Sequence, residues 1–399
     1  MNKKETKSTF WKKCWIDVLI VTIVTIIISA NYDLSKLTPS VLYQNSTSGD
    51  FFTTDLFFHI SNSSNEPTII PDITIINIDS LISRKEIAYL LSNVLKMNPR
   101  KIGVDIAFHM NKDQDDSLIV KIVNEQRLMK KCVFANDYYI DDNSELPSVS
   151  HSFCLNKKDS LIEGFANFIY DETFMNVRQY RSTKYTSEGE ILSLTSRMID
   201  YQERTSANSD NHIEIIDYRL SSFNEINANE LDRELINNHY VLIGSLSRSH
   251  DNYNTPIGMM PGLKIHAYTL KTALSQNKIH SVNKIWEWFI LIFICIFSSI
   301  GLVFADYFVL NSTNKMQSVI VQEGVWAFII VFLQVSFLLL IAYLLFEYFD
   351  LVFSMQSSLN SALFVAAIVK SIYTIILTFL SKKGIAKSIL NRLMYYSIK

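Results

Sequence analysis

The strongest constraint on this chain is the placement of four apolar stretches, one near the start and three in the last third. They run over residues 15–32, 285–310, 325–347 and 356–381. A hydrocarbon core about 30 Å thick needs roughly 20 apolar residues in a helix. The last three meet that length. The first is shorter, but Trp11 and Tyr32 can place rings at the two interfaces and extend it. Its lysine-rich start and apolar middle also fit a cleaved signal peptide. No clean small-x-small site follows Ser29 and Ala30, so a retained anchor is the better reading.

Between the first and second stretches lies a polar segment, residues 33–284. It holds 25 basic and 32 acidic residues, and all eight histidines and all seven prolines of the chain. Such segregation predicts a separate water-soluble unit held by a membrane anchor. The positive-inside rule orients it. Residues 1–14 carry Lys3, Lys4, Lys7, Lys12 and Lys13, and residues 382–399 carry Lys382, Lys383, Lys387, Arg392 and Lys399 with no acid. Four spans would put both basic tails on the cytoplasmic side and the acidic segment outside the cell membrane. The last tail has Ile385, Ile389, Leu390 and Leu393 on one helical side, the pattern of a basic amphipathic helix on the bilayer surface.

Within the polar segment, helical and strand periodicities alternate. ITIINID (Ile73–Asp79), KIGVDIAF (Lys101–Phe108) and CVFANDY (Cys132–Tyr138) read as buried strands. Arg84–Met97 and Asp115–Met129 have apolar residues at helical spacing, and Pro99 stops the first. Continuous apolar strands separated by helices predict an α/β domain: a mostly parallel sheet with helices on both faces. Further on, Phe165–Tyr170 and Val177–Tyr185 read as a strand pair, Ile191–Glu203 as a helix, Glu214–Arg219 and Tyr240–Ser245 as strands, and Leu263–Asn277 as a last helix. A short helix is expected around Phe51–Ile60. The predicted architecture is this domain plus four transmembrane helices.

Ligands of open α/β sheets bind beyond the carboxyl ends of the strands. Asp79 and Asp105 fall at the ends of two strands taken as adjacent, and Gly244 and Ser245 end a third. Asp251 and Thr255 follow in the next loop, and His266 comes soon after. These residues form a candidate ligand pocket; the alternative is that they cap helices and tie loops together. Ser245, His266 and Asp251 contain the groups of a hydrolytic relay, but no nucleophile-elbow pattern surrounds Ser245. The histidines show no metal-ligand spacing, so neither a metal nor a cofactor is expected. Arg178 and Arg181, after the acids Asp171 and Glu172, suit structural ion pairing at a turn better than anion binding. Cys132 and Cys154 admit either a disulfide or a buried thiol at Cys132. In the fourth stretch Lys370 lies on one helical face with Asn360. It reads either as a buried contact coupling spans, to Asp17 or Gln334, or as a side chain snorkelling to the interface.

Several blocks together resemble the second class of CHASE domains, sensory extracellular domains associated with cyclases and histidine kinases. They are INIDS (Ile76–Ser80), KIGVDIAF, the helix start Asp115–Leu118, Gly164–Arg181, IDYR (Ile216–Arg219), Val241–Gly258 and MPGLKIHAYTLKTAL (Met260–Leu274), in the family's order. The resemblance implies one span before the sensor and three after it. It also implies a cytoplasmic output domain, and residues 382–399 leave no room for one here. The expectation is therefore a non-enzymatic sensor subunit in the cell membrane. Its partners would be the lipid bilayer, a separately encoded cytoplasmic effector and a second copy of the chain, not nucleic acid. The alternative function is a channel or pore-type effector gated by the outer domain, motivated by Lys370 and the polar stripe around it.

Overall fold

A computed structural model describes residues 15–24, 26–27, 51–64, 66–80, 83–110, 116–140, 146–170, 176–200, 213–247, 251–310, 325–353, 368–369 and 372. The chain divides into two compact units, residues 54–280 and the two flanking segments 1–53 and 281–399.

The central unit is built on a parallel sheet. Helix α1 (Phe51–Ser64) leads into strand β1 (Thr68–Asn77), helix α2 (Arg84–Lys96), strand β2 (Lys101–Val104), helix α3 (Asp116–Met129) and strand β3 (Cys132–Tyr139). Short strands follow: β4 (Ser148–Ser150), β5 (Glu163–Phe165), β6 (Ile169–Tyr170), β7 (Val177–Arg181), β8 (Thr183–Thr186) and β9 (Gly189–Leu192). Then come helix α4 (Leu194–Met198) and strands β10 (Ile213–Ile215), β11 (Ser221–Asn227), β12 (Tyr240–Gly244), β13 (Asn252–Thr255) and β14 (Gly258–Pro261). Helix α5 (Gly262–Leu274) ends the sequence of elements.

The strand order is β11-β1-β12-β2-β3, with all four pairings parallel. Strand β3 also pairs with β5 in parallel and with β4 antiparallel. The predicted parallel-rich α/β sheet is therefore present. One detail differs: β1 and β2 are not neighbours, because β12 arrives late in the chain and inserts between them, with Asn77 opposite Gly244. The β1–β11 ladder is interrupted between Ile70 and Thr74. Pro71 lies in that gap, where a residue without an N–H does least harm.

Alternation along the strands builds two cores. Ile76, Ile102, Val104, Cys132, Phe134, Val241 and Ile243 meet Leu90, Leu91 and Val94 of α2 and Ile119, Ile122 and Val123 of α3. The opposite face carries α4 and α5. Helix α2 begins with a full capping box, Ser83 and Glu86 each satisfying the other's backbone N–H. Its first residue, Arg84, pairs with Asp116 at the start of α3 at 2.9 Å, which joins the two helices on that face.

Some sequence boundaries move. Strand β2 stops at Val104, because the chain beyond leaves the sheet and Phe108 exchanges backbone and hydroxyl contacts with Ser152 and Phe153. Helix α4 is only five residues long, and residues 201–212, where the expected helix would have ended, lie outside the described ones. The expected strand at Glu214–Arg219 keeps only Ile213–Ile215, since Asp217, Tyr218 and Arg219 are drawn into other contacts. Cys132 and Cys154 are both free thiols.

In the flanking unit, helices α6 (Lys284–Leu310) and α7 (Val325–Phe349) pack together. Two segments are long and apolar enough to cross a membrane: Ile285–Val303, with mean hydropathy 2.1, and Phe332–Phe349, with 1.9. Trp15–Val24 is a shorter apolar helix, in which Asp17 is buried. The fourth stretch falls almost wholly outside the described residues, and with it Asn360, Lys370 and the tail 382–399. After α7, the Val282 N–H donates to Val352 O at 2.8 Å, tying the chain before α6 to the chain after α7.

Candidate functional site

The carboxyl ends of β1, β12 and β2 bring together residues that are far apart in the chain. Ser245 Oγ donates to Asp79 Oδ1, and the Leu246 N–H donates to Asp79 Oδ2 at 3.2 Å. The Asp79 N–H is held by Asn77 Oδ1 at 3.1 Å. Partial burial pushes the Asp79 carboxyl upward, but hydrogen bonds from Ser245, Ser247 and Leu246 outweigh it and hold the group below the usual carboxylate range. The pair locks the loop after β12 to the loop after β1.

Gly244 is required by its surroundings. A Cβ there would lie 2.9 Å from Leu263 Cδ1 and 3.3 Å from Asp105 Cβ. The missing side chain lets α5 settle on the end of β12 beside Asp105. The Asp105 carboxylate lies 3.8 Å from His266 Nε2, too far for a hydrogen bond. His266 is only 5% exposed. Its ring packs on Phe168 at 4.5 Å between centroids, and Phe168 meets Tyr253 edge-on at 5.2 Å. Burial pulls His266 down to about 4 against the opposing pull of Asp251 and Asp137. It is a neutral imidazole at neutral pH.

Asp251 lies at the first turn of α5. Its backbone oxygen accepts the Gly262 N–H at 2.9 Å, and a Cβ on Gly262 would sit 2.9 Å from Asp251 Oδ1. A carboxylate here complements the positive end of the helix, whose first residue follows Pro261, a cap with no side-chain hydrogen bond to offer. Thr255 serves the hairpin instead. Its hydroxyl donates to Gly258 O at 2.5 Å and closes the β13–β14 turn. The structure thus gathers Asp79 with Ser245, Asp105 with Gly244 and His266, and Asp251 with the start of α5. The one proton of Ser245 goes to Asp79, so it is not delivered to His266 as a hydrolytic relay would need. His250, beside Asp251 in sequence, lies outside the described residues.

The CHASE2 domain family model matches residues 23–303. The chain belongs to the CHASE2 domain family. CHASE2 domains are sensory extracellular domains, which is consistent with a sensor role for the α/β unit. Comparisons with curated proteins and with solved structures find no match.

Two residues of this CHASE2 edge were not visible as candidates in the sequence. Asp137, two-fifths exposed near the end of β3, has its Oδ2 3.7 Å from His109 Nε2. Burial pushes its carboxyl up while His109 and His266 restrain it. Phe168 gives no chemical signal in the sequence and matters because its ring covers His266.

A second constellation of the CHASE2 domain lies around residues 214–220. Asp217 carries the Lys271 ammonium at 3.3 Å, and Lys271 also donates to the carbonyls of Asp217 and Arg219 at 3.1 Å each. Thr272 accepts the Asp217 N–H at 2.9 Å. Tyr218 is fully buried, donates to Val177 O at 2.9 Å, and meets Phe58 of α1 edge-on and Tyr268 of α5 at 5.3 Å. Asn62 of α1 donates to Tyr218 O at 3.0 Å and accepts from the Leu220 N–H at 2.7 Å. The Asn62 carboxamide, a potential glycosylation acceptor by its sequence, is thus taken up by the backbone. Glu214 receives the Lys278 ammonium at 2.8 Å. Arg178 pairs with Asp55 of the incoming helix α1, while Asp171 and Glu172 lie outside the described residues. The helix that enters the domain and the helix that leaves it are fastened to the same short segment.

Among the described residues no group of three or more His, Cys, Asp or Glu side chains could hold a metal ion. A cavity of about 340 Å³ is lined by Arg127, Asn156, Lys158, Asp159, Leu161 and Ile162, none of them at the strand ends. Arg127 there is committed to Asp159 at 2.6 Å.

Proposed function

We propose that this chain is a membrane-bound sensory subunit that detects an extracytoplasmic cue at the strand-end edge and relays it through its membrane helices to a separate partner. The observation that carries this reading is the position of α5. One helix of 13 residues, about 20 Å long, bears His266 and the Asp251 contact near its start and Lys271 and Thr272 near its end. Only residues 275–283 then separate it from α6. A displacement at the strand ends is passed along a rigid element to the segment that holds both α1 and α5. Four spans, with both basic tails cytoplasmic, complete the proposal; the charge pattern supports it.

Affinity purification of the full chain from its native membranes, beside a variant lacking residues 383–399, tests the relay. A cytoplasmic protein should be retained by the full chain and lost from the truncated one. Recovery of no cytoplasmic protein with the full chain would remove the basis of the proposal. The second reading, an ion-conducting effector, is favoured by Ser298 Oγ and Gln334 Oε1, which are buried without a hydrogen-bond partner among the described residues of the apolar helices. Ion flux in proteoliposomes separates the two readings.

A further inference from the structure

His151 follows strand β4, and each of its ring nitrogens meets a carboxylate. Nδ1 is hydrogen-bonded to Glu163 Oε2 on β5. Nε2 lies 3.1 and 3.0 Å from the two oxygens of Glu188, in the turn between β8 and β9. Glu163 is buried, its side chain 1% exposed, and its other oxygen accepts the Ser152 N–H at 3.2 Å. A neutral imidazole carries one N–H and one lone pair. Against two ionised carboxylates, the lone pair would face an oxygen that has no proton to give. Only the imidazolium donates to both.

Among the described residues no cation competes at the ring. The other acid that acts on His151 is Asp159, whose carboxylate is gripped by Arg127 of α3 at 2.6 and 3.0 Å. Glu163 also receives a hydrogen bond from Asn136 of β3. Hydrogen bonds tie the tip of the β8–β9 hairpin to the rest of the domain. The Ser187 N–H donates to Pro147 O at 2.9 Å, and Glu188 supplies the contact to His151.

We propose that His151 is a proton-operated clasp, which holds the β8–β9 hairpin to the sheet in acid and releases the hairpin tip as the pH rises. The clasp is independent of the relay to a partner and of the strand-end site. The direction of its linkage is fixed by its two central groups. Burial pulls the His151 imidazolium down, but Glu163 and Glu188 outweigh it and raise its pKa above the ordinary value. Burial likewise pushes Glu163 up. Both groups bind protons more readily in the folded chain. The histidine's share of the stabilisation is complete below its ordinary value and is lost as pH rises through the raised one.

The test uses the full chain in lipid nanodiscs. Exchange of the histidine C2 proton, followed by mass spectrometry, gives the pKa of His151. Amide exchange of residues 183–192, corrected for intrinsic rates, gives the hairpin's protection. The expected result is a His151 pKa above the ordinary value, which falls in Glu188→Gln. Hairpin protection should drop roughly tenfold across the His151 titration in the wild type, as expected for loss of a charge-assisted hydrogen bond. That drop should shrink in Glu188→Gln, a change at a partly exposed side chain that leaves the buried Glu163–His151 contact in place. A His151 pKa at or below the ordinary value overturns the proposal, and so does the same pH-dependent drop in both proteins.

Discussion

Arg178 grips Asp55 with two nitrogens, Nε at 3.0 Å from Oδ1 and Nη2 at 2.6 Å from Oδ2. The pair fastens helix α1 to strand β7, and both side chains are about four-fifths buried (18% and 19% exposed). Burial alone pushes the Asp55 carboxyl upward, and the Arg178 guanidinium restrains it. Removing Arg178 leaves a largely buried carboxylate unpaired.

Arg178→Ala is therefore expected to lower stability by about 2–4 kcal/mol, somewhat less than for a fully buried pair. Asp55→Ala should cost a similar amount, and the double variant less than the sum. Arg178→Lys should fall between, because an ammonium cannot make the two-nitrogen contact. Thermal unfolding of the detergent-solubilised chain by circular dichroism measures all four. Additive losses would show that the two side chains act separately.

The contact between Asp251 and Gly262 gives a prediction of the opposite kind, in which a second change rescues the first. The Cβ of Gly262→Ala would lie 2.9 Å from Asp251 Oδ1 and 3.2 Å from Oδ2. The carboxylate must shift, so a loss of about 1–3 kcal/mol is expected from overpacking. Asp251→Ala removes the obstruction, and the double variant should be more stable than Gly262→Ala alone. Equal melting temperatures for Gly262→Ala and the wild type would show that the carboxylate moves freely.

Such close approaches explain what could be read in the sequence and what could not. The strands β1, β2, β3 and β12 and the helices α2, α3 and α5 announce themselves, because continuous apolar runs and helical spacing follow directly from burial. The insertion of β12 between β1 and β2 does not. It is set by pairing between segments 167 residues apart, such as Asn77 with Gly244, and no local pattern encodes it. At the strand ends, Asp79, Asp105 and Ser245 stood out in the sequence because polar residues follow apolar strands, whereas His266 lies within helix α5. Thr255 stood in the same loop, yet its hydroxyl is spent on the hairpin turn. Arg178 was legible as an ion-pairing residue, but its partner Asp55 lies 123 positions away. The clasp at His151 was not legible at all, since its three residues come from three separate short segments.

The anchor of α5 predicts acid sensitivity. Burial pushes the Asp217 carboxyl up, but Lys271 and Arg219 outweigh it, and the group stays below its ordinary value of 3.8. A depressed carboxylate contributes stability that is present above the unfolded value and lost as pH falls through the folded one. Lys271→Met removes the cation that lowers it most. The Asp217 pKa should then rise, and the acid unfolding midpoint of the chain should move up by about one pH unit. Far-UV circular dichroism between pH 2 and 6 follows it; an unchanged midpoint would show that Arg219 alone suffices.

His266 makes a sharper case, because it sits beside three acids and still stays neutral. Burial draws its pKa from 6.5 to about 4, although Asp251 and Asp137 pull the other way and Asp105 lies 3.8 Å off. The folded chain prefers the uncharged ring, so its contribution to stability is complete above 6.5 and is lost as pH falls from there toward 4. C2-proton exchange should place His266 near 4, on the other side of the ordinary value from His151. His266→Gln cannot take up a proton, so the slope of stability against pH between 6.5 and 4 should flatten in that variant. A His266 that titrates near 6.5 would mean that water reaches the ring past Phe168. At neutral pH the ring of His266 is therefore uncharged, and it brings no positive charge to the strand ends.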